Sequence, residues 1–134
     1  FLGGASYWDL AADELAGLAV GPRKSMGHAC EFETAMMMHL HPHLVRVDRR
    51  LDNERAVASG LRGMTVAADF SQMTEPGAIG YPTLATAERG KEFLRVSVER
   101  TAAACQAILE EELVPGRVRR GWQAPRTSST QKGL

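Results

Sequence analysis

The sequence predicts an α/β fold in which a mainly parallel sheet is flanked by helices. Helical patterns alternate with short β-patterned stretches, the order that builds a parallel sheet through crossover helices. Residues 44–50, LVRVDRR, set Val45 and Val47 against Arg46 and Asp48 with the period of a strand. Residues 64–70, MTVAADF, are a second strand candidate, and residues 86–113 carry the clearest helical pattern in the chain.

Taken in order, residues 1–8 (FLGGASYW) read as a strand end running into a turn. Asp9 is the expected N-cap of a helix to about Val20, with Asp13 and Glu14 near its positive end and Leu10, Leu15 and Leu18 on its apolar side. Gly21-Pro22 ends it, and a basic loop follows. A second helix is expected from near His28 to Pro42, with Phe32, Met36 and Leu40 at four-residue spacing. Residues 71–82 are rich in turn residues. Thr86 then suits the N-cap of the long helix, on which Leu94, Val98, Ala102, Cys105 and Leu109 mark one face. Residues 1–115 are expected to form one α/β unit and residues 116–134, with several arginines among Ser, Thr and Gln, a flexible or partner-bound tail. Two or three strands make a small sheet with exposed edges, so part of the sheet is expected to come from elsewhere.

The 134 residues suit a single domain. Sixteen basic side chains balance sixteen acidic ones, which removes any general attraction to nucleic acid or anionic membrane. No apolar run approaches the roughly 20 residues of a membrane span. Cys30 and Cys105 lie in apolar helical segments and are expected as two buried thiols in a reducing cytoplasm. The chain opens on Phe1 rather than Met and is expected to start inside something larger.

The informative segment is residues 27–38, GHACEFETAMMM. Five residues along a helix turn through about 140° beyond a full circle, so His28 and Glu33 converge only if the helix begins after His28. The stripe of Phe32 and Met36 puts Glu33 beside apolar packing and Glu31 toward water. A carboxylate in such a place needs a cation, a metal or hydrogen-bond donors. His39, His41 and His43 fan out around the helix end at Pro42 and are expected in solvent. Met36, Met37 and Met38 are expected to fill core and interface.

These residues resemble a family. GHACEFETAMMMHLHPHLV is similar to the creatininase-family segment H-A-G/C-x-x-E-T-S-x-M. Ser6-Tyr7-Trp8-Asp9 resembles the pattern preceding it, and residues 77–90 resemble the family's G-x-x-G-x-P-x-x-A-[ST]-x-E-K-G run before its last long helix. Order and spacing agree across about residues 5–110. The resemblance implies the C-terminal part of a three-layer α/β sandwich and metal-dependent hydrolysis of a C–N bond in a small, cyclic amide. It implies that His28 is the catalytic or substrate-contacting histidine and that Glu33 is a metal ligand or a close neighbour of one. It also implies a divalent metal, zinc or manganese, and a hexamer-type oligomer.

Where creatininase itself carries a Trp-Asp pair before the histidine, this chain has Arg23-Lys24-Ser25-Met26. The family's remaining ligands, a Glu-x-His pair, a following Asp and an Asn-Gly-His loop, do not occur in these residues. An N-terminal chain or fragment is therefore expected as partner. The competing expectation is a non-catalytic subunit or remnant that completes or regulates such an oligomer.

Overall fold

A computed structural model describes residues 3–54 and 69–110. Within them the chain is mainly helical. Helices α1 (Tyr7–Leu10) and α2 (Ala12–Leu18) follow each other with a break at Ala11, and α3 spans Glu31–Leu40. A single turn, α4 (Phe70–Met73), precedes the long α5 (Ala87–Glu110).

Helix α5 begins where its sequence says it should. The Thr86 hydroxyl accepts from the Arg89 amide at 3.3 Å, satisfying one of the donors that a helix start leaves open. Helix α3 ends at His41, because Pro42 cannot continue it. At the other end of the chain the reading changes. Tyr7 and Trp8, expected to close a strand, open α1, and Ala11 rather than Asp9 stands at the N-cap of α2.

The core lies between α3 and α5, which pack along their lengths. Phe32 and Phe93 are each 1% exposed, with ring centroids 4.9 Å apart. Burying each ring contributes about 2–3 kcal/mol. Gly90 brings the two backbones together: a Cβ there would lie 1.9 Å from the Ala35 carbonyl oxygen. Ala11, Leu15 and Ala19 close this core from the α2 side. An ion pair between Glu14 and Arg100 ties α2 to α5 at the surface.

The parallel sheet expected from the alternating patterns does not appear among the described residues. Extended pairing there consists of antiparallel bridges between His28 and Ile79 and between Asn53 and Gly80. Residues 44–50 are not a strand but two tight turns, Pro42–Leu44 and Val47–Arg49. Alternation alone cannot hold a strand without a neighbour to take its amides. Here the turns take them locally, as in Val45 N to Pro42 O at 3.2 Å and Arg49 N to Arg46 O at 3.0 Å. Arg50 then braces the segment, donating to the carbonyls of Val47, Pro82 and Ala85 at 3.1, 3.0 and 2.9 Å.

The candidate strand 64–70 lies outside the described residues except for its last two, where Asp69 caps α4 and Phe70 opens it. The tail at 116–134 lies wholly outside them. Among the described residues no helix is long and apolar enough to cross a membrane.

Candidate functional site

The segment singled out by sequence, residues 27–33, runs from an extended corner into α3. Its first half is fixed through backbone. His28 donates to the Ile79 carbonyl at 3.1 Å and accepts from the Ile79 amide at 2.7 Å. Gly80 exchanges two further bonds with Asn53, at 2.9 and 2.8 Å, so three chain segments lie side by side. Glycine is required at residue 27, because a Cβ would meet the Ile79 carbonyl oxygen at 1.9 Å. Ala29 turns the corner at φ 44°, a left-handed conformation that non-glycine residues adopt at a cost. The helix then starts at Glu31, after His28, as convergence of His28 and Glu33 demands.

His28 presents an exposed imidazole on this fixed seat. Its ring packs edge-on against Phe70, with centroids 4.7 Å apart. Phe70 is held in turn by a capping box, in which Asp69 and Gln72 satisfy each other's ends of α4. Those bonds, chiefly from the Ser71 backbone, hold the Asp69 carboxyl below its ordinary range. Nothing in the sequence around residue 70 signalled a partner for His28, because 42 residues separate the two rings.

Glu33 is half-buried on α3. The Cys30 thiol lies 3.9 Å from its carboxylate, and Tyr7 lies near enough that Glu33, after burial itself, pushes the phenol above its ordinary value. Among the described residues no arginine, lysine or histidine forms an ion pair with Glu33. No hydrogen bond joins it to His28 within them.

Glu31 is the correction. Sequence placed it toward water, yet it is 3% exposed. Its carboxylate accepts from the amides of Val20 and Gly21, both at 2.9 Å, and lies 3.9 Å from the Arg89 guanidinium. The turn at Gly21-Pro22 aims two backbone donors at the start of α3, and an anion there also meets the helix dipole. The local stripe counted only apolar neighbours and missed this charge-assisted clamp. The cysteines also divide: Cys30 is buried and Cys105 exposed. His39, His41 and His43 are exposed, as expected.

Two hollows meet at Glu33. One is a groove of about 640 Å³ between α3 and α5, lined among others by Tyr7, Met36, Met37, Leu94 and Val98. The other, about 420 Å³, is bordered by Ala29, Thr34, Arg46, Arg49 and Ala78. The chemistry on offer is an exposed imidazole on a backbone-bonded seat and a half-buried carboxylate with no ion-pair partner among the described residues. Among the described residues no three His, Cys, Asp or Glu side chains gather as a complete metal site. Of the side chains here, Glu33 offers the kind of oxygen that a divalent cation takes.

Comparison with known proteins agrees with the motif. The creatininase family model, described as creatinine amidohydrolase, matches residues 2–105. A creatinine amidohydrolase of Pseudomonas putida is 31% identical over 114 residues, covering 82% of this chain and 42% of the relative. A crystal structure from Bacteroides fragilis, assigned to the creatinine amidohydrolases, superposes with a TM-score of 0.68 at 25% identity. It covers 85% of this chain and 45% of the other. The chain thus spans less than half the length of either relative.

Proposed function

The chain belongs to the creatininase family, and from that premise we propose that it supplies part of the active site of a metal-dependent amidohydrolase. The reaction is hydrolysis of a C–N bond in a small, cyclic amide. The observation that carries this reading is the seat of His28. Gly27, the paired backbones of His28 and Ile79, and the strained Ala29 together hold one exposed imidazole at the mouth of α3. A residue serving only the core has no need of a backbone this constrained, and constrained positions cluster where geometry matters.

In this reading His28 passes a proton to the departing nitrogen, since imidazole changes charge near neutral pH. Glu33 would be one of the residues that hold a divalent cation, zinc or manganese. When bound, such a cation polarises the scissile carbonyl. Its other ligands come from the N-terminal part of the fold, carried on the same or another polypeptide. The three-layer α/β sandwich that the family resemblance implies belongs to that assembled unit.

The test is to purify the assembled protein, determine its metal content, and follow hydrolysis of creatinine and related cyclic amides. His28→Ala is expected to lower kcat by at least about a thousandfold, at the strong end for loss of a proton-transfer group, while leaving assembly and metal content unchanged. Turnover retained in that variant would refute the role of His28. A wild-type assembly without divalent metal and without amidase activity would favour a non-catalytic subunit instead.

A further inference from the structure

The arginines among the described residues divide into two groups. Arg23, Arg50 and Arg89 donate to main-chain carbonyls. Arg95 and Arg100 pair with glutamates. Arg46 and Arg49 are the exceptions: within the described residues neither guanidinium forms a hydrogen bond or an ion pair. Asp48 stands between them in the sequence and pairs with neither.

The turn that carries these two arginines decides where they stand. Val47–Arg49 form one tight turn with Arg46 at its N-cap, closed by the Arg49 amide on the Arg46 carbonyl at 3.0 Å. At three residues per turn, positions three apart lie on the same side. Arg46 and Arg49 accordingly border one hollow, that of about 420 Å³. Arg50 braces the turn from behind through its bonds to the Pro82 and Ala85 carbonyls. Glu33 borders the same hollow, as does Ala29, the residue after His28. Three arginines and one carboxylate line this space, so its charge is positive. A cation held by Glu33 makes it more so.

Resting on the function proposed above, we propose that this hollow is an anion subsite. The amide hydrolysed beside it carries a carboxylate or phosphate group, which Arg46 and Arg49 hold while the C–N bond lies on the Glu33 side. A guanidinium is a planar fork of donors that matches either anion, and such charge-assisted bonds are the strong ones. Two guanidiniums brought to one hollow without an acid also repel each other, and an anion between them relieves that repulsion. The bond change itself is ordinary hydrolysis: the oxygen of water goes to the carbonyl carbon and a hydrogen to the nitrogen as the C–N bond breaks. The anionic group takes no part in it. Arg46 and Arg49 therefore select the substrate and do not set the rate of bond cleavage.

The test uses the assembled protein and two matched probes, hydantoin-5-acetate and its methyl ester, which differ by a single charge. The wild type is expected to prefer the acid by at least about tenfold in kcat/KM, the low end for a charge-assisted hydrogen bond. Arg46→Gln and Arg49→Gln should each raise KM for the acid roughly tenfold to a hundredfold. Their kcat should move less than about twofold, the pattern of lost ground-state binding. Arg49→Lys, which keeps the charge, should retain more of the preference than Arg49→Gln. A hydantoin with phosphonomethyl in place of carboxymethyl separates the two anions by which of them has the lower KM. Both arginines are exposed, and circular dichroism checks that the variants remain folded. The comparison of acid with ester needs no variant.

Equal kcat/KM for acid and ester in the wild type overturns the anion subsite and leaves the amidohydrolase reading standing. So does a preference for the acid that survives both Gln variants. Where no amide is turned over, titration calorimetry decides. Hydantoin-5-acetate bound by the wild type and lost in the Gln variants keeps the subsite and removes the enzymatic reading. No binding and no turnover removes both.

Discussion

Gly90→Ala and Gly17→Ala are the same chemical change with opposite expected signs. Each exchanges glycine for the better helix former inside a helix, which by itself stabilises by about 0.5–1 kcal/mol. At Gly17, on the exposed side of α2, an added Cβ meets nothing within 4 Å, so that gain should be seen. At Gly90 the Cβ would lie 1.9 Å from the Ala35 carbonyl oxygen, 2.3 Å from its carbon and 2.8 Å from the Met36 amide nitrogen. These are backbone atoms of α3 and cannot swing aside.

Ordinary contact needs about 3.4–4 Å, so the helices must part by roughly 1.5 Å. That separation loosens Phe32 against Phe93, and a gap of this size forfeits about half of each contact or more. Overpacking of this kind costs typically 1–3 kcal/mol. Set against the propensity gain, the net loss is about 1 kcal/mol, or some 4–5 °C in Tm at roughly 4 °C per kcal/mol for a domain of this size. Urea and thermal unfolding of both variants decide the matter. If Gly90→Ala gains stability as Gly17→Ala does, the close approach of α3 and α5 is wrong and so is the core built on it.

Two further outcomes follow from the same geometry. Glu31→Ala leaves the Val20 and Gly21 amides without their acceptor and should cost about 3 kcal/mol, whereas Glu31→Gln, keeping one acceptor oxygen, should lose about half of that; equal losses in urea unfolding would show that the carboxylate does not clamp the loop. Tyr81 donates to Glu54, which with some burial pushes its phenol up from 10.0 to about 12. A phenol raised in the folded state contributes in full below pH 10 and loses that contribution as pH rises through about 12. A difference titration at 295 nm of wild type against Tyr81→Phe should therefore place this ionisation near 12 in the folded chain; ionisation near 10 would mean that the bond to Glu54 is not held.

The family segment was legible in the residues alone. The segment around His28 and Glu33 stands out because its residue types and spacing recur in one order with two further motifs, and the family comparison matches that same stretch. The start of α5 was legible too, since Thr86 caps it through atoms only three residues apart. What failed was the environment of side chains. Glu31 and Glu33 are two residues apart, and no periodicity can say which one meets the amides of Val20 and Gly21. The alternation of Val45 and Val47 was a true pattern with the wrong consequence, because local turns, and Arg50 at the Val47 carbonyl, took backbone groups that a strand would have offered a neighbour.

The apolar stripe Leu94, Val98 and Ala102 joins the two halves of this lesson. The spacing alone marked that side of α5 as apolar, a property of composition and the 3.6-residue turn. Only the packing showed that α3 covers the adjacent side, through Gly90 and Phe93, and that the stripe lines an open groove ending at Glu33. Sequence determines which residues avoid water and which chemistry they carry, because those are properties of single side chains and their local period. Tertiary structure decides which partner each one meets, because long-range closeness depends on how the backbones fit.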